Sequence, residues 1–107
     1  MKVFMSIGFR NKTEEQVRNE LKKAEQRAKE KFPELAEAVF VHNYNYSFDG
    51  YEIHEHTRSL MNLSAAIKRM SRCDAVLLIN NWPDYRGCCI EHYIVDAYNI
   101  KCYEISV

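Results

Sequence analysis

The chain has 107 residues, 47% of them hydrophobic and 28% charged, with 15 Lys and Arg against 15 Asp and Glu. That length gives one domain, residues 1–107, able to bury a core, and the composition is that of an ordinary globular chain and not a disordered one. Zero net charge without a long block of one sign argues against a nucleic-acid polymer as partner. No apolar stretch reaches the roughly 20 residues of a membrane span.

The N-terminus opens on a strand pattern with no charged and apolar leader before it, so a cytoplasmic protein is expected. Cys73, Cys88, Cys89 and Cys102 lack C-x-x-C spacing and lie in or beside apolar runs. They read as small buried hydrophobes, reduced and without metal. His54 and His56, in H-E-H, lack further ligands at a recognisable spacing, so no metal and no cofactor is expected.

In chain order, Lys2 to Ile7 is a short apolar strand ended by Gly8, where backbone can approach a ligand closely. A loop, Phe9-Arg10-Asn11-Lys12, follows. Thr13-Glu-Glu-Gln16 is a capping box, and Val17, Leu21, Ala24, Ala28 and Phe32 recur at helical spacing until Pro33 stops the helix. Ala38 to Val41 reads as a second strand, running into His42-Asn43-Tyr44-Asn45-Tyr46, whose tyrosines could stack on a ring. Residues 47–56 carry little pattern.

From Thr57 another amphipathic pattern has Leu60, Leu63, Ile67 and Met70 as its apolar positions. Ala75 to Ile79 is a continuous apolar run of buried-strand length. After it comes N-N-W-P-D-Y-R-G-C-C-I-E, Asn80 to Glu91, and then a helix on which Ile90, Ile94 and Ala97 form the apolar spacing; Asn99 suits its left-handed cap. Ile100 to Ile105 is the last strand.

Strands alternating with helices predict a three-layer α/β domain, flavodoxin-like or Rossmann-like, with a four-stranded parallel sheet in the order 2-1-3-4. Ligands of such sheets bind at the carboxyl ends of the strands. The expected rim is therefore Gly8, Phe9, Arg10, Asn43, the stretch Asn80 to Gly87 with Asn81, Trp82, Arg86 and Gly87 as its ligand contacts, Cys88 and Glu91. The last helix should offer unpaired N–H groups of Gly87, Cys88 and Cys89, an anion site to which Arg86 and Arg10 add planar donors. The plain alternative is that Arg86 pairs with Asp84 or Glu91. Glu91, in the first turns of that helix, is placed to face a sugar, although the helix dipole alone would also accommodate it.

The opening M-K-V-F-M-S-I-G-F-R-N-K-T-E-E together with C-D-A-V-L-L-I-N-N-W-P-D-Y-R-G-C-C-I-E-H-Y-I-V-D-A-Y-N-I resembles a family of small bacterial and phage proteins related to the nucleoside 2-deoxyribosyltransferases. The string W-x-x-x-R-G-x-x-x-E-H, Trp82 to His92, is its most specific part. The resemblance implies binding of a nucleoside or nucleotide and cleavage or transfer at its N-glycosidic bond, with Glu91 as nucleophile. It likewise implies a phosphate cradle at Gly87, a matching role for Arg10, and a homo-oligomer. Asp84 is the only other carboxylate of that loop and the candidate second acid or base. Two positions depart from the pattern. Ala66 stands where the enzymes usually carry an Asp, and Asn11 where a Gly often stands. Two other readings stay open: a binder of a nucleotide or nucleotide-derived signal without turnover, and an interaction protein that uses Trp82 and Tyr85 as an oligomer contact.

Overall fold

The computed structural model describes residues 1–44, 54 and 56–107; the reading of Tyr46 as a stacking group falls outside them. The elements are β1 Lys2–Ser6, α1 Glu14–Lys31, β2 Val39–Val41, α2 Thr57–Met70, β3 Ala75–Ile79, α3 Arg86–Ala97 and β4 Lys101–Ile105. Short 3₁₀ turns lie at Pro33–Leu35 and Trp82–Asp84. All strand pairs are parallel, in the order β2-β1-β3-β4. This is the expected three-layer α/β fold.

Alternation along the central strands splits the core in two. Val3 and Met5 of β1 and Ala75, Leu77 and Ile79 of β3 pack on Val17, Leu21, Ala24 and Ala28 of α1. Phe4, Val76 and Leu78 face the other way, onto Ala66 and Met70 of α2 and Val95 of α3. β3 is buried on every residue, which explains its unbroken apolar run. The chain leaves β1 toward β2 by α1 and leaves β3 toward β4 by α3, so β1 and β3 flank the point where the winding reverses.

Local chemistry sets the ends of the helices. The Thr13 hydroxyl accepts from the Gln16 N–H at 3.1 Å and the Gln16 side chain accepts from the Thr13 N–H at 2.8 Å, completing the capping box. Phe32 is the C-cap of α1 and not its last turn, and its ring packs 4.7 Å from that of Tyr103. At the end of α3, Asn99 takes φ 54° and the Ile100 N–H bonds the Val95 carbonyl at 3.0 Å, so the turn is closed by a left-handed Asn as expected.

Two helical stripes differ from the expected ones. On α3 the buried residues are Cys88, Glu91 and Val95, while Ile90 is 36% exposed and Ala97 is exposed. Spacing counted on apolar residues alone steps over Glu91, because a carboxylate is a poor guess for a sheet-facing position. On α2 the buried residues are Ala66 and Met70, whereas Leu60 is 55% exposed. Of the expected apolar positions Met70 is buried and Leu63 and Ile67 are half-buried, and Ala66 joins Met70 in the core formed with Phe4 and Val76.

Candidate functional site

A cleft of about 1140 Å³ opens at the carboxyl end of β1. One wall is α2, with Leu60, Asn62, Leu63 and Ala66; the other is the segment Asp84 to Cys88 with Glu91. Between them lie Ser6 to Arg10, Asn43, Tyr44 and His56. The expected rim residues Gly8, Phe9, Arg10, Asn43, Asp84, Arg86, Gly87, Cys88 and Glu91 are thus brought together. Asn81 and Trp82 stand outside the cleft. Asn81 starts the Trp82–Asp84 turn at φ 51°, and the half-buried Trp82 ring packs 4.3 Å from His92 against the α2–α3 side of the core.

Glu91 is the chemical centre of this cleft. It is 6% exposed, and its Oε1 accepts a 2.8 Å hydrogen bond from the Ser6 hydroxyl. Burial pushes its pKa up to about 7, with the Ser6 bond pulling the other way. A carboxyl group poised near neutrality in a cleft is a recurrent mark of catalytic sites. Ser6 is 1% exposed and has the same strand parity as Phe4, so it faces α3 from the tip of β1. Cys88, one turn before Glu91, is buried and its thiol is pushed up to about 11, chiefly by burial.

The close approach at Gly8 is made by the protein itself. A Cβ there would lie 2.0 Å from Cγ of Tyr85, so Gly8 is required by a tyrosine ring and not by a ligand. Tyr85 was not among the expected ligand contacts, and Gly8 was the signal that something large sat there. Lys12 completes this corner: its ammonium donates to the Gly8 carbonyl and to Glu20, each at 2.9 Å, and lies 5.1 Å from the Tyr85 ring centroid. Burial works against the Lys12 charge, but the Glu20 partner and Tyr85 raise its pKa above the usual value.

The start of α3 differs by one residue from expectation. Tyr85 is the N-cap, without a side-chain cap, and the Cys89 N–H is taken by the Tyr85 carbonyl at 3.0 Å. Helix geometry therefore leaves the N–H groups of Arg86, Gly87 and Cys88 without an intrahelical acceptor. Arg86, Gly87 and Cys88 all line the cleft, and nothing lies within 4 Å of a Cβ built at Gly87. Arg86 is exposed and makes no ion pair with Asp84 or Glu91 among the described residues. Arg10 donates to the Asp84 carbonyl at 3.4 Å.

Asn62, on the α2 wall, was also missed. Its Oδ1 is the one buried side-chain polar atom among the described residues without a hydrogen-bond partner, while the Asn43 side chain donates to the Asn62 backbone carbonyl at 3.4 Å. His54 and His56 stack on each other with ring centroids 5.1 Å apart. No cluster of three or more His, Cys, Asp or Glu is gathered among the described residues, and the four cysteines are free. No helix among the described residues is long and apolar enough to cross a membrane.

Fold and site together define an open parallel α/β protein with a cleft at the strand ends and one buried carboxyl group in it. Comparison with protein-family models, with curated proteins and with solved structures gives no match for the chain.

Proposed function

We propose that the cleft binds a nucleoside or nucleotide and that Glu91 attacks its sugar, cleaving or transferring the N-glycosidic bond of a deoxynucleoside or its 5′-phosphate. The observation that carries this reading is the buried Glu91, near half-ionised at neutral pH and reachable from the cleft. Its ionised oxygen forms a bond to the anomeric carbon while the carbon–nitrogen bond breaks. The base leaves with the electron pair and gains a proton, and water or a second base then displaces the carboxylate. Asp84 lines the same cleft and is exposed, so it is the group within the chain to exchange that proton. Leu60, Leu63 and Ala66 offer a flat base an apolar wall, opposite the polar start of α3.

A 5′-phosphate would lie at the N–H groups of Arg86, Gly87 and Cys88, beside the exposed Arg86 guanidinium. Arg86→Ala should weaken a deoxynucleoside 5′-phosphate by about tenfold or more while barely changing the nucleoside. Calorimetric titration of both ligands checks this, and equal losses would remove the phosphate assignment.

Ala66 favours a second reading, a binder without turnover, because it lines the cleft where the resembling enzymes usually have a carboxylate. One experiment separates the two. Release of free base from a panel of deoxynucleosides and their 5′-phosphates supports the enzyme, and a raised melting temperature without release supports the binder. Neither effect would remove both.

A further inference from the structure

We propose that Ser6 is the positioning residue for Glu91: by holding Oε1 it fixes the carboxylate plane and presents Oε2 to the sugar. This inference rests on the proposed function. Ser6 is the one polar side chain that β1 places in the core, and it points to the α3 side at the cleft floor. A hydroxyl has a single proton and two lone pairs. The Ser6 proton is committed to Glu91 Oε1 at 2.8 Å.

The consequence is a carboxylate with one oxygen engaged. Oε1 accepts the only hydrogen bond that the Glu91 side chain makes among the described residues. Without Ser6 the carboxylate could turn about its last bond and offer the reaction either oxygen in many orientations. With it, attack through Oε2 leaves Oε1 as the carbonyl oxygen of the glycosyl ester, still held by the same hydroxyl. That bond therefore persists through both displacements. Other charged or titratable groups lining the cleft are Arg86 and Cys88 on α3, Asp84 and Tyr85 before it, Arg10 after β1, Tyr44 after β2, and His56 at the start of α2. None of these shifts the Glu91 titration, which responds to burial and to Ser6.

Two readouts test this on the full-length protein, using Ser6→Ala and the hydroxyl-retaining Ser6→Thr. The first needs no ligand: the pH window over which Glu91 affects the melting temperature, taken as the difference from Glu91→Gln. Ser6→Ala should move that window up by about one pH unit and Ser6→Thr should restore it. The second is base release, in which Ser6→Ala should lower kcat by about tenfold with little change in KM. An unmoved window, or an unchanged kcat, overturns the proposal while leaving Glu91 as nucleophile. A kcat lost equally in Ser6→Ala and Ser6→Thr overturns it too, since packing alone would then be at stake. Absence of base release by the unaltered protein removes the proposed catalytic function and the positioning role with it.

Discussion

At position 91 a carboxylate occupies a sheet-facing place on α3 between Cys88 and Val95. Its cost to folding has a definite sign. The folded chain binds the Glu91 proton more tightly than the unfolded chain, with a pKa of about 7 against 4.5. Between those values the native state holds more protons, so stability is full below about pH 4.5 and falls as pH rises through 7. Over the whole window the loss is on the order of 3 kcal/mol. Glu91→Gln keeps the shape and cannot ionise, so its melting temperature should equal or exceed that of the unaltered protein at pH 8, the difference closing toward pH 5. Melting curves across that range check it, and parallel pH profiles for the two proteins would count against a buried, titrating Glu91.

At the scale of elements, the loop after β1 and the start of α3 are locked together through Gly8 and Tyr85. Gly8→Ala sets a methyl group 2.0 Å from a ring carbon and must push Tyr85 or the loop aside, destabilising by about 1–3 kcal/mol. Gly87→Ala meets nothing within 4 Å and should fold normally, its methyl group instead shading the N–H groups at the cleft. Denaturant unfolding of both variants distinguishes them, and equal stability would mean that Tyr85 does not pack there in solution.

These same elements show how much the sequence makes legible. The strand order follows from alternating patterns, the α1 start from a capping box, and the α3 end from Asn99, because each signal is local. The rim was legible where the topological rule applies, as at Arg10, Asn43, Arg86 and Glu91. Ser6 and Asn62 were not, because each takes its meaning from a contact or a helix face that spacing does not encode. The residue 6 to residue 91 bond spans 85 positions. A lone polar residue inside the apolar strand Lys2 to Ile7 was the available signal. Trp82, whose rarity drew attention, serves the packing of α3 against its own loop.

Across the whole molecule, apolar side chains remain uncovered on the α2–α3 side. Leu60 is 55% exposed, Met61 36% and Tyr93 73%. A homo-oligomer that uses α2 is the arrangement we expect, and it would bring a second chain to the mouth of the cleft, where Leu60 and Ile90 stand. Light scattering at high micromolar concentration should give twice the mass of one chain or more, and Leu60→Glu should reduce it. A monomer under those conditions would contradict the expectation.

If Glu91 attacks the sugar in its ionised form, base release must follow the Glu91 titration. For a deoxynucleoside or its 5′-phosphate, kcat/KM should rise with pH and level off above about 7, as Glu91 loses its proton. Glu91→Gln should bind the same ligand and release no base at any pH. Undiminished release by Glu91→Gln, or a rate that falls as pH rises through 7, would contradict the assignment.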